Sequence, residues 1–180
     1  MTKPARTAAI LTFAAASLAL GGCMTYANDT AARIGSGTIY FSNGQPAGTV
    51  QLLAIGDQVS LAVAATGLSA GTRGFHLHTK GECTAPDFTT AGGHLNPLNR
   101  THGKESAGGA HLGDMPNLVF GANQSATLTE QLPGTRAEIE NWIFDADGTA
   151  VVIHAQADDY RTDPTGNAGA RVACAVLSRS

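Results

Sequence analysis

The chain has 180 residues, 43% hydrophobic and 14% charged, with a net charge of −3 at neutral pH. That length supplies one domain with a real core. The acidic balance excludes a general electrostatic attraction to nucleic acid, so any anion the protein binds must be drawn by a local field.

The first residues read as a targeting segment. Lys3 and Arg6 precede an apolar run from Ala8 to Leu20 that is too short to span a bilayer comfortably. The run closes on Leu20-Gly21-Gly22-Cys23, which resembles the bacterial lipoprotein signal, where cleavage leaves a lipid-modified cysteine at the new N-terminus. An ordinary secretory signal cut after Ala27 is the alternative, and either one exports the chain. Met24, rather than an aspartate, follows the cysteine, as in outer-membrane sorting, so the expected location is periplasmic or anchored by lipid to the outer membrane. Residues 1–22 are thus expected to be signal peptide, 23–36 a flexible tether and 37–180 the functional domain. Loss of 1–22 removes two bases and no acid, leaving 158 residues with a net charge of −5. With Cys23 carrying lipid, Cys83 and Cys174 remain as a pair, and outside the cytosol a disulfide between them can persist, two unrelated buried thiols being the weaker alternative. Closing so long a loop is worth about 4–5 kcal/mol in the chain-entropy model.

From Gly37 the chain turns to short segments punctuated by glycine. Thr38 to Phe41 and Thr49 to Leu53 flank a Ser-Asn-Gly-Gln turn, and Val59, Leu61, Val63 and Ala65 alternate with the period of a half-buried strand. Gly74-Phe-His-Leu-His78 follows. Side chains alternate across a strand, so His76 and His78 share one side while Phe75 and Leu77 face a core. Residues 79–117 are rich in Gly, Thr, Asn and Pro and carry no sustained period. So long a connection is expected only where it is functional. Leu118 to Phe120, Ala126 to Thr129, Ala150 to His154 and Val172 to Leu177 read as further strands, and Ala137 to Trp142 as a single helical turn. Short strands with frequent turns predict an all-β Greek-key barrel or sandwich of about eight antiparallel strands.

All six histidines lie from position 76 onward: His76, His78, His94, His102, His111 and His154. With Asp114 they make seven candidate ligands, too many for one four-coordinate ion and natural for two ions sharing a ligand. Imidazole suits copper and zinc, and a carboxylate in the set fits zinc or a harder ion.

Seven pieces in order then resemble the copper/zinc superoxide dismutase family, in its bacterial secreted form, over about residues 36–178. They are Gly74-Phe-His-Leu-His78, Ala91-Gly-Gly-His-Leu-Asn-Pro97, His102-Gly103, His111-Leu-Gly-Asp114, Val152-Ile-His-Ala155, Ala157-Asp-Asp159 and Gly166-Asn-Ala-Gly-Ala-Arg-Val-Ala-Cys174. The resemblance implies an enzyme that dismutates superoxide to dioxygen and hydrogen peroxide, with copper on His76, His78, His94 and His154. It implies zinc on His94, His102, His111 and Asp114, with His94 bridging both as imidazolate and cycling a proton. Asp158 matches the carboxylate that ties a copper histidine to a zinc histidine. Arg171 matches the arginine at the channel mouth, held by a loop that the Cys83–Cys174 disulfide fixes. Thr165 matches a threonine of the channel wall.

The chain also departs from the family pattern. Between Asp158 and Arg171 it is shorter than in animal relatives, and the steering charges there have no counterpart; Lys80, Arg100, Lys104 and Arg161 are the candidate substitutes. The stretch from Cys83 to His94 is longer, which alters the surface where animal subunits pair and leaves a homodimer open. An exported copper or zinc carrier on the same fold is the competing expectation.

Overall fold

The alternation through Val59, Leu61, Val63 and Ala65 buries all four side chains on one face of β3 (Gln58–Thr66) in the computed structural model, which describes Met1 and residues 30–180. β1 (Ala32–Phe41), β2 (Pro46–Ile55) and β3 form an antiparallel meander, and β7 (Ser125–Gln131) pairs with the far side of β3. On the other side β9 (Arg171–Val176) pairs with β1, β8 (Ala150–His154) with β9, and β5 (Phe75–His78) with β8. The order β5-β8-β9-β1-β2-β3-β7, with the short β10 (Ser178–Arg179) also on β1, makes one curled antiparallel sheet. β4 (Gly71–Arg73) and β6 (Leu118–Phe120) form a separate two-stranded ribbon. Strands distant in sequence are neighbours at both flanks of the meander, as Greek-key connections require. The all-β expectation therefore holds.

Two expectations about boundaries change. The expected tether, 23–36, runs too far, because β1 begins at Ala32. Ala32 and Arg33 pair with Ala54 and Leu53 of β2, and Ile34 joins the core, a single apolar residue that small, polar neighbours conceal. The expected helical turn is a two-turn helix, α1 (Arg136–Ile143). Its N-terminus is closed by a capping box in which the Thr135 side chain accepts from the Glu138 amide while the Glu138 carboxylate accepts from the Thr135 amide. Ile139 and Ile143, four apart, face the core. The expected signal segment and Cys23 lie outside the described residues.

The site is built on β5 and β8, which are buried on both faces. Phe75, Leu77, Val151 and Ile153 point into the main core. On the opposite face Ala150 and Val152 pack with Phe88, Ala91, Cys174 and the half-buried Cys83 in a second, smaller cluster. The Cys83–Cys174 disulfide is formed, with Cα atoms 5.8 Å apart, and it fastens the start of the long loop to β9. The expected long connection between His78 and Leu118 contains only one 3-10 turn, Thr89–Ala91.

Backbone bonds tie that loop to β5. Leu77 N donates to Gly113 O (3.0 Å), Gly113 N to Leu95 O (2.9 Å) and Leu95 N to Leu77 O (2.8 Å), closing a three-membered ring. Each member neighbours a candidate ligand in sequence: His76 and His78, His94, and Asp114. A side chain at Gly113 would strike the Leu77 carbonyl and the Leu95 amide, so the ring requires glycine there.

Candidate metal centre

His76 and His78 leave β5 on the face away from the core, His154 ends β8 beside them, and the loop ring brings His94 alongside. All four are buried. Their ligand atoms lie within 4.8 Å of one another. In each ring one nitrogen is held from behind. His76 Nε2 donates to Asp158 Oδ2 (2.8 Å), His78 Nδ1 to the Gly92 carbonyl (2.9 Å) and His154 Nδ1 to the Gly169 carbonyl (3.1 Å). His94 Nδ1 lies 2.9 Å from Asp114 Oδ1. The other nitrogens, His76 Nδ1, His78 Nε2, His94 Nε2 and His154 Nε2, are buried with no hydrogen-bond partner among the described residues. Buried polar atoms are rarely left so, and four that converge call for a cation.

The second cluster centres on Asp114. The Nδ1 atoms of His94, His102 and His111 lie 2.9, 3.1 and 3.1 Å from its Oδ1. Its Oδ2 accepts from the amides of Gly103 (2.7 Å) and His111 (2.9 Å), which fixes the carboxylate. Three imidazole nitrogens around one carboxylate oxygen match the donor set that a closed tetrahedral zinc site uses. His94 belongs to both clusters, Nε2 to the first and Nδ1 to the second.

Asp158 joins the two sets from behind. Its Oδ2 holds His76, while its Oδ1 accepts from His102 Nε2 (2.9 Å) and the Tyr160 amide (2.7 Å). Gly166, at φ +63°, passes so close that a side chain there would overlap Asp158 Oδ1. What secures Asp158 is not visible in the sequence. The Asn117 side chain accepts from the Asp158 amide and donates to its carbonyl, both at 2.9 Å, and the Asn117 amide donates to the Tyr160 hydroxyl (2.8 Å). Asn117 sits three residues after Asp114, but an asparagine in a polar loop gives no sign of this work.

Burial lowers the proton affinity of the first set: His78 is pushed down to about 2, His154 to about 3 and His94 to about 4, and His76 is lowered as well. Burial also acts on His102, but its bonds to Asp114 and Asp158 outweigh that and raise it to about 9. Asp114 and Asp158 lie well below the usual carboxylate range; burial would raise them, and the histidine hydrogen bonds prevail. Near neutral pH the first set therefore offers unprotonated nitrogen lone pairs, the state metal binding requires.

Arg171 opens β9 and is part-buried against the disulfide loop. Its Nη1 donates to Phe88 O (2.7 Å) and its Nη2 to Gly92 O (2.6 Å), so the Gly92 carbonyl holds both Arg171 and His78. Thr165 is exposed, and its carbonyl accepts from the Ala168 amide (3.3 Å). Of the candidate steering cations, Arg161 is engaged by Glu105 (2.6 Å) and Lys104 lies over the Tyr160 ring, 4.0 Å from its centroid. Lys80 and Arg100 are exposed without an acidic partner among the described residues.

A family model described as copper/zinc superoxide dismutase matches residues 36–177. The superoxide dismutase-like protein YojM of Bacillus subtilis is 41% identical over 138 residues, 74% of this chain and 70% of that protein. A Cu-Zn superoxide dismutase of Caulobacter vibrioides is 37% identical over 143 residues, 75% of this chain and 80% of that one. The crystal structure of a SOD-like protein from Bacillus subtilis superposes with a TM-score of 0.74 at 35% identity, covering 83% of this chain and all of that one (100%).

Proposed function

The chain belongs to the copper/zinc superoxide dismutase family, and from that premise we propose that it dismutates superoxide to dioxygen and hydrogen peroxide, with copper as the redox metal and zinc as a structural one. The observation that carries this reading is the double membership of His94, whose two ring nitrogens face two separate ligand sets. His76, His78, His94 and His154 would hold copper; His94, His102, His111 and Asp114 would hold zinc. Both donor sets fit, four imidazoles for the one and three with a carboxylate for the other.

When bound, copper supplies a one-electron couple and zinc a fixed positive charge. The chain does the rest. Arg171, immobilised by two carbonyls, presents the outer edge of its guanidinium to a small anion. His94 Nε2 is the atom that takes up a proton and returns it to reduced oxygen while Nδ1 stays engaged. Asp158 keeps His76 and His102 in fixed tautomers.

A carrier of copper or zinc is the second reading, favoured by the SOD-like name of the Bacillus relative. It needs neither Arg171 nor a shared His94. Metal analysis of the purified domain beside a superoxide-decay assay separates the two: a dismutase shows about one copper and one zinc with rapid decay, a carrier the metals alone. Arg171→Ile should keep both metals and lose about tenfold or more of the rate, with less sensitivity to salt. A parental rate at low salt with copper fully loaded overturns anion docking at this residue.

We also propose that the chain is exported and carries a lipid on Cys23, as the sequence of residues 1–23 supports. Cys23→Ala should release the protein from the membrane fraction; retention there rejects the lipid. Pairing of subunits is left to sedimentation of the released domain.

A further inference from the structure

The loop between Cys83 and His94 does more than hold Arg171. Its turn, closed by the Phe88 amide donating to Thr84 O (3.0 Å), places the exposed Asp87 on one rim of a surface depression of about 370 Å³. Arg171 and Gly169, whose carbonyl holds His154, line the same depression. The Asp87 carboxylate is fixed: Oδ1 accepts from the Thr89 amide (3.1 Å) and hydroxyl (2.9 Å). No salt bridge neutralises it among the described residues.

We propose that Asp87 is a specificity-determining residue, a fixed negative charge at the rim that lowers the capture of small anions by Arg171. The inference rests on the dismutase reading for its substrate, though its effect extends to any small anion. The Thr89 bonds hold the carboxyl below its usual range, so the charge is present throughout the neutral region. Burial lowers the proton affinity of the Arg171 guanidinium, and the negative charge of Asp87 acts against that shift. The two charges face one depression with opposite sign, so an anion that approaches there is drawn by one and repelled by the other. Their sum sets the encounter rate. The arrangement admits superoxide at a moderated rate and penalises dianions more steeply, because repulsion scales with the charge of the visitor.

Asp87→Asn isolates the charge, since the amide oxygen can still accept from Thr89. Asp57→Asn is the matched control: Asp57 lies at the turn between β2 and β3, where its Oδ1 accepts from the Arg136 amide (3.1 Å), and the change shifts net charge equally. Metal-loaded parent and variants are compared at about 10 mM and 200 mM salt, by the second-order rate of superoxide decay and by optical titration of the copper with azide. Asp87→Asn should raise the rate and tighten azide by about threefold at low salt, with the gain shrinking at high salt. Asp57→Asn should change neither by as much. If Asp87→Asn matches the parent in azide affinity, or if Asp57→Asn reproduces its effect, the proposal falls. Tighter azide binding in a protein without superoxide turnover upholds the role of Asp87 and rejects the dismutase reading.

Discussion

The β1–β2–β3–β7 side of the barrel and the loop from Thr79 to Asn117 are held together by different physics. The barrel side is a continuous backbone ladder over an apolar core, with Val50, Leu52, Leu61 and Val63 buried between its strands. The loop is secured point by point: one disulfide, a ring of three backbone bonds, two carboxylates and a set of buried imidazoles. Burial of apolar area is spread over many residues and survives the loss of any one contact. Point fastening concentrates the load, and here most of the points are titratable or metal-seeking. The loop should therefore respond to protons and metal ions, and the barrel should not.

Acid should give the largest contrast. In the metal-free protein His76, His78, His94 and His154 are held below the 6.5 of an ordinary histidine. As pH falls through 6.5 the unfolded chain takes up protons that the folded chain refuses, so stability present above 6.5 is lost progressively down to pH about 2, as His94, His154 and His78 protonate in turn. His102, raised to about 9, has the opposite sign: its contribution is complete below 6.5 and is lost as pH rises through 9. Urea midpoints of the metal-free protein should thus peak near pH about 6.5 to 7 and fall steeply on the acid side. Loading with copper and zinc should move the acid limb to lower pH. Identical limbs with and without metal would erase the contrast.

Next in size is Asp114→Ala. Opening one corner of the proposed zinc set should lower the melting temperature of the loaded protein by about 10 °C. Activity per bound copper should fall less. An activity loss without a change in melting would reverse the division between the two clusters. Leu61→Ala tests the barrel side. It should cost about 3 kcal/mol in urea unfolding, by the same amount in metal-free and loaded protein. Asn117→Ala should have the smallest effect, about 1–2 kcal/mol from leaving the Asp158 amide and carbonyl without partners. Its mark should be weaker zinc retention against a chelator, while a barrel variant of equal stability retains zinc normally.

The barrel was the easier half to read in the sequence, because Val59 to Ala65 and Phe75 to His78 alternate as the strands do. Ligand residue types could also be seen, since six histidines downstream of one point are hard to overlook. Family resemblance, rather than spacing, divided them into two sets, and the structure supplied the nitrogen atoms each set offers. Hidden from the sequence were the interactions made by ordinary letters. Asn117 fastens Asp158 through both its amide atoms, and Phe88, Gly92 and Gly169 act through carbonyls that every residue possesses. The early start of β1 was concealed for a related reason: one buried Ile34 among small neighbours makes no pattern.

The carbonyls of Phe88 and Gly92 that hold Arg171 have an evolutionary consequence. A main-chain acceptor cannot be deleted by exchanging a side chain. The position of the guanidinium is therefore inherited through the length of the segment between Cys83 and His94, through its covalent anchor and through the few residues that fix its backbone, the buried Phe88 and Ala91 and Gly92 at φ +77°, and hardly at all through the identities of the others. Substitutions there can accumulate with the arginine still in place. A single insertion or deletion would shift both acceptors and turn Arg171 away, so lineages of this protein should diverge in the letters of that segment long before they diverge in its count.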